Sequence, residues 1–304
     1  MKGLSILGIF VADLAFFGRI PKKGETVLGD KFVVGPGGKG SNQAVAAGKA
    51  GANVNFISKI GNDDYGKMAK KIYSETNVGT KSLFVSEEKS TGVAAILLNK
   101  ETGDNAISVV PGAAGALTIG DINAAEDEIK NSSIFLTQLE APINTVVHAL
   151  KIAKTNNVTT ILNPAPAATL DKDIFPLIDY FTPNETEASF YVNKDIVNVE
   201  DAKNSSKDLL NLGIKNVVIT LGDKGVYFAN KDESHFLPSL DLDDKVIDTT
   251  GAGDAFNGAF ATALCEDKSI KEALKFANAF AGISTTRIGT AKSMPSREEI
   301  EKIL

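Results

Sequence analysis

Residues 248–254 read DTTGAGD, which sets a carboxylate immediately behind two glycines and ahead of an apolar run that starts at Ala255. Glycines before a helix leave successive backbone N–H groups free to face an anion, and the helix dipole favours negative charge there. A first-turn carboxylate is ordinarily a cap residue. Beside an anion-binding glycine turn, Asp254 can instead take a proton from a hydroxyl nucleophile. Phosphoryl transfer asks for that combination, because its loose transition state needs positioning, charge neutralisation and a group to receive the nucleophile's proton. A nucleophile at Asp254 and a phosphate over the amides between Gly251 and Gly253 would lie side by side.

Other stretches carry polar residues at positions suited to the same chemistry. In TPNETEA (182–188), Asn184 and Glu187 stand three apart at a helix start after Pro183. That is the spacing of a capping box, and also of an amide and a carboxylate facing Mg2+-bound phosphates; the two readings are compatible. Glu140 in TQLEAP and the rigid LNPAPA (162–167) both follow apolar runs, at the carboxyl edge where ligands of open α/β sheets bind. The stretch VVGPGGKGSNQAVAAGKAG (33–51) contains G-x-G-x-x-G at Gly35, Gly37 and Gly40, a dinucleotide fingerprint, and falls one residue short of a P-loop because Lys39 is followed by Gly40. The dinucleotide reading is disfavoured, since the motif follows a β-rich insert rather than the first strand of a βαβ unit.

These residues need a scaffold, and the 304-residue chain is long enough for one large core, or a core with a small appendage. With 43% hydrophobic and 23% charged residues it reads as an ordinary globular protein. A net charge of −6 argues against nucleic-acid or anionic-membrane partners, both of which need a basic patch. Small-molecule partners are favoured. Arginine occurs only at Arg19, Arg287 and Arg297, so a bound phosphate must rely on backbone amides, lysine or a metal. One cysteine (Cys265) and two histidines (His148, His235) exclude a structural zinc site or disulfide framework and fit a reducing, cytoplasmic setting. Cys265 reads as a buried helix residue, and the histidines as packing or solvent-facing groups. The N-terminal apolar stretch after Lys2 is interrupted by Asp13 and lacks a cleavage site, so it reads as a first strand rather than a signal peptide.

Apolar runs at 4–10, 54–60, 133–139, 159–164 and 216–222 read as buried parallel strands. Between them, 41–51, 63–75, 143–156 and 199–213 read as helices, the last ending on a glycine C-cap. This βαβ rhythm predicts an open sheet with helices on both faces. Two β-rich segments break it, 11–36 and 91–112, and could pair as one small sheet. Neither TVLGDKFVV nor GVAAILLN alternates cleanly, which suggests apolar residues on both faces of that sheet and a homodimer formed through it.

Taken in order, GETVLG (24–29), GGKGSNQAVAAGKAGA (37–52), TQLEAP, LNPAPA, TPNETEA, ITLGDKGV (219–226) and DTTGAGDAFNGAF resemble the PfkB carbohydrate-kinase family over nearly the whole chain. The resemblance implies a three-layer α/β/α sandwich of the ribose-kinase type with a β-sheet lid. The body would comprise 1–10, 37–90 and 113–304, and the lid 11–36 and 91–112. It implies transfer of the ATP γ-phosphoryl group to a sugar hydroxyl, with the 5-hydroxyl of ribose as first choice. Asp254 would be the base, with the amides of Gly251, Ala252 and Gly253 as anion hole. Asp13, Gly38, Lys39, Asn42 and Glu140 would bind the sugar. Asn184 and Glu187 would serve Mg2+ and phosphate, and Thr220, Gly222, Gly225 and Asn278 the nucleotide. A monovalent cation, usually K+, would sit among Asp248, Thr250, Ser284, Arg287, Gly289 and Ser293, mostly on main-chain carbonyls. One departure stands out: where the family's ribose-phosphorylating branch usually has N-x-D, this chain has Val11-Ala12-Asp13. A sugar hydroxyl facing Val11 would lose its partner, so another pentose, a deoxy-sugar or a nucleoside is the alternative. A sugar- and ATP-binding sensor without catalysis is a further one.

Overall fold

Residues along the first strand, β1 (Gly3–Leu7), alternate between two cores: Leu4 and Ile6 enter one, Leu7 the other. Burial on both faces is what a central parallel strand requires. The computed structural model describes residues 3–99, 101–102, 104–242 and 245–304. Met1, Lys2 and positions 243 and 244 of the expected body, and positions 100 and 103 of the second insert, lie outside the described residues.

The remaining strands are β2 (Val11–Phe17), β3 (Lys31–Gly37), β4 (Val54–Gly61), β5 (Val78–Gly79), β6 (Leu83–Ser86), β7 (Thr91–Leu98) and β8 (Asn105–Gly112). They continue with β9 (Ser132–Thr137), β10 (Thr159–Leu162), β11 (Tyr180–Phe181), β12 (Asn216–Thr220), β13 (Val226–Asn230) and β14 (Ser234–Leu237). The helices are α1 (Lys39–Lys49), α2 (Asp64–Glu75), α3 (Ile119–Ala124), α4 (Glu126–Lys130) and α5 (Ile143–Thr155). After these come α6 (Glu185–Val192), α7 (Val199–Leu210), α8 (Ala252–Cys265), α9 (Ile270–Ser284) and α10 (Arg297–Glu301).

The large sheet runs β14-β13-β12-β11-β10-β9-β1-β4-β5, with β6 also on β4, and is parallel except at β13 and β14. Helices α1, α8 and α9 cover one face, and α5 and α7 the other. This is the α/β/α sandwich expected. Strand order reverses at β1, which lies between β9 and β4, and the loops leaving β1 and β9 open the switch-point crevice where such folds bind ligands.

The two β-rich inserts pair into a separate four-stranded sheet, β3-β2-β7-β8. Each insert is an antiparallel hairpin, and β2 joins β7 in parallel, with Asp13 opposite Gly35 and Ala94. Several boundaries differ from the sequence reading. The first apolar run splits, because the chain leaves the large sheet after Leu7 and enters the small one at Val11. The run at 216–222 leaves the ladder after Thr220, since Gly222 adopts φ 53° in a tight turn. Helix α7 is capped by Asn211, and Gly213 (φ 103°) serves the following turn. Helix α8 starts at Ala252, three residues before the apolar run, because glycine at its N-cap (Gly251, φ 82°) allows the chain to turn in early.

Helices α1 and α8 cross closely on small side chains. A Cβ at Gly258 would stand 2.5 Å from the Gln43 carbonyl oxygen and 2.7 Å from the Ala46 Cβ. Gly258→Ala should therefore lower unfolding stability by about 1–3 kcal/mol, whereas Gly120→Ala, whose Cβ meets its nearest neighbour at an ordinary 3.5 Å, should not. Urea unfolding of both variants tests this.

Candidate active site

Asp254 lies in the first turn of α8 and is 7% exposed. Two amides from α1 hold it: Asn42 Nδ2 donates to Oδ2 and Gln43 Nε2 to Oδ1, both at 3.0 Å. Burial pushes its carboxyl above the usual range, while the Lys39 ammonium and the two amide donors pull it back. Around it opens a chamber of about 150 Å3, lined by Lys39, Asn163, Thr182, Asn184, Glu187, Thr220, Gly251, Gly253 and Asn257 among others. A larger hollow of about 840 Å3 lies beside Asp63, Thr91 and Val110 and contains none of the residues that the sequence singled out.

The chamber joins loops from five places in the chain, and each has a local reason for its shape. Gly38 (φ 89°) lets the chain turn into α1 beneath the Ile9 carbonyl, where a Cβ would come within 2.5 Å. Glycine here serves the fold. The first amide of α1, Lys39 N, donates to Glu140 Oε2 at 2.7 Å, joining the end of β9 to α1. Asn184 and Glu187 form a full capping box on α6, with each side chain accepting from the other's backbone N–H at 2.8 and 2.9 Å. Only Oε2 of Glu187 is used in that cap. Its carboxylate also faces the chamber, so it fits a divalent cation reached directly or through water.

Asp13 arrives from β2 of the small sheet, and a Cβ at Gly37 would overlap its carboxylate. Glu140, Glu187 and Asp254 surround one ammonium, that of Lys39, and Asp13 adds a fourth carboxylate beside Asp254 and Glu140. Burial raises Asp13 to about 6, with Asp254 adding to the effect. Burial likewise raises Glu140 to about 7, against the opposing pull of Lys39. Lys39 is raised in turn, because the carboxylates of Asp254, Glu140 and Glu187 outweigh its own desolvation. A half-dry cluster with more acceptors than donors is suited to a ligand that brings O–H groups. Val11, two residues from Asp13 on the same strand face, is 2% exposed and belongs to the same apolar cluster as Ile9 and Ala94.

Not every residue singled out by sequence lies in the chamber. Asp13, Gly38, Asn42, Glu140, Gly222, Gly225 and Asn278 are not among the residues that line it; the Asn278 amide donates to the Pro238 carbonyl at 2.6 Å, beyond the end of β14. Ala252 turns its amide back onto the Thr249 carbonyl (3.1 Å), so the first-turn donors not used in this way are those of its glycine neighbours. In the loop assigned to a cation, Asp248 joins two segments by accepting from Thr250 N at 2.9 Å and Gly289 N at 3.0 Å. Ser284 and Ser293 donate to Ala281 and Thr290 carbonyls, and Arg287 is paired with Glu299. Arg287 is thus held in an ion pair, whereas the Asp248, Ser284 and Ser293 oxygens keep lone pairs beside the main-chain carbonyls. Sequence reasoning gave no role to Gln43, Gln138, Asn163, Thr182 or Asn257. All five stand inside motifs already quoted, but their partners come from distant segments.

A fold of this type, with a buried carboxylate behind a glycine turn and a polyol-suited acid cluster, defines a phosphoryl-transferring carbohydrate enzyme. Residues 1–297 match the model of the pfkB family of carbohydrate kinases, and the chain belongs to that family. It is 40% identical to a ribokinase of Haemophilus influenzae over all of this chain and 98% of that one. It is also 32% identical to a deoxyribokinase of Salmonella typhi, over 99% and 98% of the two chains. Among solved structures, ribokinase from Arabidopsis thaliana complexed with ribose and ATP superposes with a TM-score of 0.91 at 29% identity, covering 99% and 98%.

The raised Glu140 has a testable consequence for stability. Its folded value near 7 exceeds the ordinary 4.5, so the native state binds the extra proton and stability declines as pH rises from about 4.5 through 7. Glu140→Gln keeps an acceptor for Lys39 N without the buried charge. The variant should melt higher than the parent at pH 8, with the gain shrinking toward pH 5, in thermal scans at both pH values.

Proposed function

We propose that this chain transfers the γ-phosphoryl group of MgATP to the primary 5-hydroxyl of D-ribose. The observation that carries this is the position of Asp254, held by two amides at the floor of a small chamber that also receives Lys39, Glu187 and the α8 glycine turn. Asp254 takes the hydroxyl proton as the ribose oxygen bonds to the γ-phosphorus, and the bond to the β-phosphate oxygen breaks to release ADP. The Gly251–Gly253 turn and Lys39 face the charge on the transferring group. Mg2+, held near Glu187 and Asn184, would neutralise phosphate charge. Asp13, Asn42 and Glu140 accept sugar hydroxyls. The nucleotide lies toward Thr220, Gly222, Gly225 and Asn278. A monovalent cation such as K+ would be held by carbonyls of the Asp248–Ser293 loop pair and would supply positive charge near the anion hole.

A second reading rests on Val11. An apolar, buried side chain on the Asp13 face gives no partner to a hydroxyl placed there, and leaving a buried polar group unpaired costs about 1–3 kcal/mol. A pentose lacking that hydroxyl, such as 2-deoxyribose, is the substrate this favours. ADP release with MgATP and K+ should show turnover of a pentose that falls at least a hundredfold in Asp254→Asn. If ribose is preferred, Val11→Asn should leave or improve it. If 2-deoxyribose is preferred, the same variant should shift kcat/KM toward ribose. Equal ratios in the two proteins would remove Val11 from specificity.

Segments 11–36 and 91–112 act as the lid over the sugar, and the rest as the body. Lid closure excludes water that would otherwise hydrolyse ATP. No helix among the described residues is long and apolar enough to cross a membrane, which accords with a cytoplasmic enzyme. One face of the lid exposes Phe16, Phe32 and Val110, and the other Ile107 and Val109. The Phe16 and Phe32 rings pack at 4.8 Å, and such a patch fits a second copy of the lid. Light scattering at micromolar concentration should give twice the chain mass, and Phe16→Lys should reduce it to one.

A further inference from the structure

The two amides on Asp254 differ in how they are themselves held. Gln43 belongs to a buried chain of side chains: its Oε1 accepts from Gln138 Nε2 at 2.6 Å, and its Nε2 donates to Asn163 Oδ1 as well as to Asp254 Oδ1, both at 3.0 Å. Asn163 Nδ2 donates to the Thr182 carbonyl at 2.9 Å, and Thr182 Oγ1 donates to Asn257 Oδ1. Asn257 Nδ2 then reaches the Gly253 carbonyl at 2.8 Å, one residue before Asp254. Every member is buried, and the chain returns to the turn from which it began.

The polarity of this chain has one consistent solution. An ionised carboxylate only accepts hydrogen bonds, so Gln43 must present its nitrogen to Asp254. Its oxygen then faces Gln138, which must donate. Flipping Gln43 would set oxygen against the Asp254 carboxylate and amide nitrogen against amide nitrogen at Gln138. Gln138 thus reinforces the orientation that Asp254 imposes on Gln43, without touching Asp254.

This arrangement is not the one that packing alone would choose. Gln138 Oε1 is buried with no hydrogen-bond partner among the described residues, which disfavours the folded state. Room for it comes from two glycines, since a Cβ at Gly8 or Gly40 would lie 2.5 or 2.7 Å from that oxygen. An apolar side chain would avoid the unpaired oxygen, but it could not fix the Gln43 amide.

We propose that Gln43 and Gln138 are positioning residues for Asp254, Gln43 by donating to one oxygen of the ionised carboxylate and Gln138 by reinforcing that direction of the Gln43 amide through its oxygen. This rests on the reading of Asp254 as the base. The charged groups around Asp254 are Lys39 on α1, Asp13 on β2, Glu140 after β9 and Glu187 on α6, and the variants below leave all four in place. Removing a donor that favours the ionised form moves the acid limb of kcat to higher pH.

The test is kcat and KM against pH for the parent, Gln43→Met, Gln43→Glu, Gln138→Met and Asp254→Asn, with unfolding midpoints measured in parallel. Gln43→Met should lower kcat at pH 7 on the order of tenfold, with little change in sugar KM and an acid limb displaced upward. Gln43→Glu, which adds a carboxylate beside Asp254, should displace it further. Gln138→Met should shift it the same way by less. Lower stability with an unmoved acid limb in both Met variants would overturn the proposal, leaving only a packing role. Parent-like kcat in Asp254→Asn would instead remove the base on which it rests.

Discussion

Burial penalises an ionised carboxylate, and the proposed base must be charged where α1 and α8 meet. Asp254 is enclosed, yet it can accept a proton only if it has none. The Lys39 ammonium and the amides of Asn42 and Gln43 offset its desolvation, and all three groups lie on α1 within five residues of one another. The close approach of α1 to α8 is therefore an electrostatic requirement as much as a packing one. Small residues make it achievable: Gly258 faces the Gln43 carbonyl and Ala46 at distances that no larger side chain would tolerate.

The same constraint explains the glycines around Lys39. Gly38 allows the chain to pass under Ile9, Gly40 lies against Gly8, and Gly37 yields its space to the Asp13 carboxylate. In the sequence these look like a loop built to wrap a phosphate. In the structure they bring four segments of backbone and side chain together around one lysine. The ligand side of that loop is acidic, with Asp13 and Glu140 both raised by burial, which suits a polyol better than a phosphate.

The small sheet brings a second source of chemistry to the site. Asp13 belongs to β2, whereas Glu140, Asn42 and Asp254 belong to the large sheet and its helices. A sugar held by both sets of groups would tie the two sheets together. The desolvation that raises these acids is then part of how the site binds hydroxyl groups.

Much of this was legible in the chain itself. Strands and helices followed from period and punctuation, because apolar runs of four to eight residues and 3.6-residue stripes each have one way to be buried. Asp254, Glu187, Asn184 and Lys39 were legible because helix starts, glycine turns and capping boxes are local, with their physics confined to a few neighbouring residues. What the sequence could not reveal are contacts that depend on distant segments meeting: Gln138 with Gln43 across 95 positions, Thr182 with Asn257 across 75, and Asn42 with Asp254 across 212. Ala252 was placed by motif and Asn278 by its position in the C-terminal helical tract, and their hydrogen bonds go to Thr249 and Pro238. Local sequence determined which residues are able to do the chemistry. Only the tertiary fold decided which carboxylate is buried, which amide faces it and which way that amide points, because burial and hydrogen-bond direction arise from packing between segments that the chain keeps far apart.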